Sequence, residues 1–278
     1  MKKRAHTGEK VAKVVIWLIA LLVIAVLLAI VVYILAKGLP VVSWSFLTEI
    51  PRNMGRDGGV ASTIVSTLWV TAVAIVIATP FGIGAAFYLA EYTRESVITK
   101  IIRFSAESLA GIPSIIYGLF GFIFFVIALN MGWSILSGGL TVAIMILPTI
   151  IRTSEEAIRT VPNTYREVSF SLGATKWQTI RKAVFPSAIR GIANGVILGV
   201  GRSVAETAAV MLTAGSALGM PTSFFSPART MAVHFYTLAR EGISLPNAYG
   251  TAALLIILIF LINVVANMLI NRFVAKGR

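Results

Sequence analysis

Two charged residues lie within a long, otherwise largely apolar stretch of this chain. Residues 191–212 read GIANGVILGVGRSVAETAAVML and carry Arg202 and Glu206. An ionised side chain at the centre of a bilayer costs about 2.5–3.5 kcal/mol on insertion scales, so such residues face a bundle interior. Residues four apart on a helix share a face and can pair. This leaves two readings. In one, Arg202 and Glu206 neutralise each other and lock the helices together. In the other, Arg202 lines a translocation path or takes part in gating and offers its planar fork to an anion. Glu206 then holds Arg202 in place or exchanges partners with it. Gly191, Gly195 and Gly199 recur every four residues in the same stretch, and a small-residue face of this kind predicts close packing against another helix.

A second pattern is polar. Residues 162–186 read PNTYREVSFSLGATKWQTIRKAVFP. Pro162 suits the first turn of a short helix that carries Glu167. Gly173 can take positive φ and end that helix. Thr175 and Gln178 form a capping-box pair for a second helix. This second helix bears Lys176, Trp177, Arg181 and Lys182, and Pro186 is expected to break it. The outcome is a helix–turn–helix on a membrane surface, with an aromatic anchor and several charges. A basic loop resting on anionic lipid would explain the charges alone, but it needs no glycine at a fixed place.

What is missing also narrows the chemistry. The chain has no cysteine and only two histidines, His6 and His234, which argues against disulfides, thiol catalysis and a histidine metal site. No Gly-x-x-x-x-Gly-Lys-Ser/Thr phosphate loop occurs, and Gly82, Gly84, Gly118 and Gly121 fail the dinucleotide pattern. No catalytic residue, metal or cofactor is expected.

These residues must be positioned by membrane helices. Of 278 residues, 57% are hydrophobic and 13% charged, with a mean hydropathy of +0.88, beyond what one soluble core uses. Uncharged runs predict spans over 14–36, 61–90, two within 108–151 with a turn at 130–133, one over 191–213 and one over 248–271. The first run is too long for a signal peptide. The net charge of +13 does not point to nucleic acid, because the basic residues flank the apolar runs. Eighteen of the 24 Lys and Arg fall on the side that holds both termini and five on the other, which places the termini in the cytoplasm. Of the two long outer segments, 37–60 should be an ordered loop. The segment 213–247 should contain a helix capped by Ser226, started by Pro227 and ended by Gly242. Met231, Phe235 and Leu238 share one face of it, with Tyr236 beside them. It either lies on the bundle or interface or inserts as a gate, and His234 is read as a surface or packing residue.

The spacing of Glu167, Gly173 and Pro186 resembles the EAA loop of type I ABC importer permeases. Val168 and Ser169 replace the two alanines of that pattern, and Ala183 and Phe185 replace Ile and Leu. Residues 46–49, 58–59, 89–92 (Leu-Ala-Glu-Tyr), 102–104, 113–115, 118–120, 151–155 and 206–208 are similar to PstA-type permease subunits of phosphate importers. The resemblance runs from about residue 40 to the C-terminus. It implies an all-α, six-span type I importer fold, with an N-terminal helix and outer loop over 1–59, a permease core over 60–272 and a cytoplasmic tail over 273–278. It implies that Glu167, Gly173, Thr175, Lys176, Trp177 and Pro186 belong to a coupling helix docking on an ATPase. It implies phosphate as cargo and, as partners, a PstC-type sister permease, two PstB-type ATPase subunits and a PstS-type phosphate-binding protein. Other expectations compatible with the residues are a permease for phosphonate, molybdate or sulfate, a secondary transporter or channel, and a membrane scaffold for signalling.

Overall fold

The computed structural model describes residues 2–94 and 96–276; the end of the expected tail, 277–278, lies outside the described residues. Among the described residues the elements are helical, with one isolated bridge between Arg52 and Asp57. In a bilayer each segment must satisfy its own backbone groups, which selects helices for these apolar runs. α1 is Lys2–Gly38 and a short α2 is Trp44–Thr48. α3, Ala61–Phe87, passes through Pro80 and widens into a π turn at Tyr88–Tyr92. α4 is Val97–Ala110, and α5 is Ser114–Gly121, extended by a π segment Phe122–Ala128. α6 is Ile135–Arg159.

Among the described residues, five helices are long and apolar enough to cross a membrane, and a sixth span results if α4 and α5 count as one bent element. The bend between those two is 98°. The third span is therefore a bent pair, Val97–Ala110 with Ser114–Ala128, rather than one straight helix starting at Ser108. The expected turn is present: Asn130 and Gly132 both take positive φ, at 52° and 65°.

The bundle is built around α6. Of its span, 61% is buried within the chain, against 33% for α3 and none for α1. Met145, Ile146, Ile150 and Ile158 of α6 are fully buried. α1 is apolar on every side and stands apart from this core, as a lipid-facing helix does. It is held near its end, where Gly38 lies against the Tyr249 carbonyl and Tyr33 meets Tyr249 edge-on at 5.9 Å.

The surface opposite the 162–186 loop is ordered by hydrogen bonds. Asn247 Nδ2 donates to the carbonyls of Gly55 and Arg56 at 3.0 and 2.9 Å. Val60 N donates to Phe46 O at 2.8 Å. The outer helix is shorter than its sequence suggests. It runs Met231–Arg240, with Thr230 at its N-cap and Gly242 at φ 63° after its end. Ser226 caps nothing there, because its hydroxyl accepts from the backbone of Thr222 and Ser223. Met231 and Leu238 are buried on the expected face, while Phe235 is exposed. His234 is fully buried, packed against Gly55.

Candidate functional site: a surface loop and a broken span

α7 is Asn163–Ser171, so Pro162 stands at its N-cap rather than in its first turn. Gly173 ends the helix at φ +79°, with open space where a Cβ would project. The demand for glycine is therefore one of backbone conformation and not of room. α8, Lys176–Thr179, starts with the full capping box: Gln178 N donates to Thr175 Oγ1 at 3.3 Å, and Thr175 N donates to Gln178 Oε1 at 2.8 Å. A 2.8 Å bond between the hydroxyls of Ser169 and Thr179 ties the two helices together.

Pro186 does not break this second helix. α8 continues through a π segment, Ile180–Val184, into α9, Phe185–Ala205. A proline ring in a regular helix clashes with the carbonyl four residues earlier, and the wider π turn gives the chain room to run on. The loop and the fifth span are thus one uninterrupted helical path. On the exposed side, Thr164, Tyr165, Val168, Ser169, Leu172, Lys182 and Ala183 line a largely apolar groove of about 420 Å³. Leu172 is 82% exposed and Trp177 62% exposed. Glu167 is exposed and forms no hydrogen bond or ion pair among the described residues.

The tertiary bonds of the loop belong to the neighbour of Glu167. Arg166 donates from Nε and Nη2 to Glu91 Oε1 at 3.0 and 2.6 Å. It also donates to the carbonyls of Val161 and Ile158 at 2.7 and 3.1 Å. Both side chains of the pair are largely buried. Sequence reasoning noticed Glu91 only within the run 89–92 and gave neither residue a role. No local pattern links positions 75 apart.

In the fifth span, Gly191, Gly195 and Gly199 face α6. A Cβ on Gly191 would lie 2.4 Å from that of Ala157, and one on Gly195 2.9 Å from that of Thr153. The expectation for Arg202 and Glu206 needs correcting. The helix stops at Ala205; Glu206 has extended backbone (φ −70°, ψ 131°), and a short α10, Ala208–Thr213, begins after it. The two residues therefore do not share a helix face and form no ion pair. Glu206 is buried, and its carboxylate accepts from Ala209 N at 3.1 Å, as an acidic residue does at a helix start. α10 leans on α5, where Gly118 meets Ala209. Arg202 is half-buried and has no hydrogen bond or ion pair among the described residues. Tyr117 of α5 donates to Leu109 O at 2.7 Å.

A helical bundle with a bent third span, a broken fifth span and a two-helix surface loop between the fourth and fifth is the fold of type I ABC importer permeases. The structure superposes on the MetNI methionine ABC transporter with a TM-score of 0.61 at 20% identity, covering 77% of this chain and 94% of that one. With a bacterial ABC transporter for the import of the polysaccharide alginate, the TM-score is 0.64 at 14% identity, covering 92% and 96%. Residues 78–277 match the family described as binding-protein-dependent transport system inner membrane component, and the chain belongs to that family. It is 31% identical over 278 residues to the probable ABC transporter permease protein YqgI of Bacillus subtilis, covering 94% of each. It is 33% identical over 238 residues to the phosphate transport system permease protein PstA of Pasteurella multocida, covering 84% of each. With PstA 1 of Mycobacterium tuberculosis it shares 35% over 224 residues, covering 80% of this chain and 73% of that one.

Proposed function

We propose that this chain is a permease subunit of an ATP-driven phosphate importer, working with a PstC-type sister permease, two PstB-type ATPase subunits and a PstS-type binding protein. The observation that carries the anionic cargo is Arg202. It is a cation in a membrane span whose expected partner, Glu206, is engaged elsewhere. An anion crossing a low-dielectric path needs such a positive partner, and relatives along most of the chain are named phosphate permeases. Arg202 lines or gates the path in this reading, and Glu206 holds the break that leaves it free.

The 162–186 loop is the coupling helix. Its apolar groove, Trp177 and the unpaired Glu167 form the surface presented to the ATPase, while Gly173, Thr175 and Pro186 shape it. The bias of Lys and Arg puts this loop and both termini in the cytoplasm. The subunit performs no covalent chemistry; ATP closes the ATPase dimer, the loop moves, and the spans alternate access around Arg202.

Membrane vesicles holding the four-component complex test this. Uptake of labelled inorganic phosphate should require ATP and the binding protein, and this chain purified alone should neither bind nor hydrolyse ATP. Preference for sulfate, molybdate or a phosphonate would change the cargo. Uptake by this chain without an ATPase would overturn the class of transporter.

A further inference from the structure

The π turn that follows α3 meets both halves of the 162–186 loop. Glu91 takes the double contact from Arg166 on α7. Its neighbour Tyr92 lies under the Lys176 ammonium of α8, 4.9 Å from the ring centre. The π turn at Tyr88–Tyr92 makes this possible, closed by Thr93 N donating to Tyr88 O at 3.1 Å. Each extra residue in a turn rotates the next side chains by about 100°, so a regular α-helical end would aim the Glu91 side chain elsewhere. Arg166 also binds the carbonyls of Ile158 and Val161, at and just beyond the end of α6. One guanidinium thus joins the end of the second span, the end of the fourth and the loop. Its partner Glu91 has a side chain only 8% exposed.

We infer that Arg166 and Glu91 form a transmission strut that makes the loop and the inner ends of α3 and α6 one rigid body. Movement of the loop then reaches the second span directly, as well as the fifth span through the continuous helix. This rests on the reading of 162–186 as the ATPase-docking loop. Two tasks are separated between adjacent residues: Glu167 faces outward to a partner, and Arg166 faces inward to the bundle. Arg166 and Glu91 are positioning residues, touching neither ATP nor cargo. A cationic guanidinium held by a carboxylate and two carbonyls resists being pulled away, because separation would leave a largely buried charge without its partner.

The test uses the assembled transporter in vesicles, reading inorganic phosphate moved per ATP hydrolysed. Glu91→Leu leaves Arg166 its carbonyl partners. We expect the complex to assemble and hydrolyse ATP, with phosphate moved per ATP falling about tenfold, within the usual range of coupling between sites. The chain has no cysteine, so Glu91→Cys with Arg166→Cys gives a unique thiol pair. Joining these thiols with a short bis-maleimide should restore the ratio, a rescue that a purely stabilising role does not predict. An unchanged ratio in Glu91→Leu overturns the strut and leaves the docking reading standing. Unaltered ATPase assembly and hydrolysis after Leu172→Ser and Glu167→Lys overturn the docking reading itself. If Glu91→Leu fails to accumulate, spin labels at Tyr88→Cys and Ser171→Cys in an otherwise unaltered chain decide. Their separation should hold through the ATP cycle; a change beyond about 2 Å, the scale of helix shifts in switching transitions, overturns the strut.

Discussion

The surface loop and the broken fifth span are each built from one tied charge and one charge without a partner among the described residues. In the loop, Arg166 is tied to Glu91 and two carbonyls while Glu167 stands free. In the span, Glu206 is tied to the start of α10 while Arg202 stands free. The tied member fixes backbone geometry, and in the proposed function the free member is left for something outside the chain. The two regions differ in dielectric. A free carboxylate on an exposed loop is solvated at little cost, whereas a free guanidinium within a span is costly unless it faces water or an anion. Loss of Arg202 should therefore cost more function than loss of Glu167.

The largest effect is expected from Arg202→Gln. Phosphate uptake at equal protein levels should fall at least about a hundredfold, roughly 3 kcal/mol, the range for depriving a charged group of its partner. Insertion should be unharmed. Because Glu206 does not pair with Arg202, adding Glu206→Gln should restore nothing; recovery in the double variant would reinstate the ion pair and remove Arg202 from the path.

His234 contrasts with both free charges, as a titratable group kept neutral. Burial first, and then the charge of Arg229, push its pKa from the usual 6.5 down to about 4. An unfolded segment binds the proton near 6.5 and the folded one only near 4. The stabilisation is therefore complete above pH 6.5 and is lost as pH falls towards 4, about 3 kcal/mol in all. The protection factors of residues 231–240, taken relative to intrinsic exchange at each pH, should fall over that window in wild type and lose that dependence in His234→Leu. Protection that ignores pH would mean the ring is not held neutral.

Smaller effects are expected in the loop. Gly173→Val must hold a β-branched residue at positive φ, at a cost of about 1–2 kcal/mol. It should reduce transport per ATP while the subunit still inserts. Gly173→Asn, with a residue that tolerates this conformation, should do little; equal defects in the two variants would point to something other than backbone conformation. Thr175→Ala removes half of the capping box, and a loss of about 1 kcal/mol should appear as faster exchange confined to α8. No change there would mean that the continuous helix behind α8 sets its stability.

Much of this architecture is written locally. Run lengths of apolar residues locate the spans, Gly173 marks the turn, and Thr175 with Gln178 declares a helix start, because each depends on neighbours within a few positions. The Gly191, Gly195 and Gly199 face announces a close approach, but only the fold names α6 as the partner. Pro186 and Glu206 show the limit. A proline says break and a helical spacing says pair, yet a π turn carries the helix past the first, and packing of α10 against α5 ends it at the second. The Arg166–Glu91 contact is further still from local legibility, since it joins residues 75 apart through a π turn that rotates Glu91 into place. Composition and spacing determined a helical, multi-span membrane protein with a two-helix surface loop, and the resemblance of that loop to the EAA pattern pointed to the permease family. Which charges are tied and which are free was decided by tertiary structure, because pairing inside a bundle depends on where distant helix ends meet.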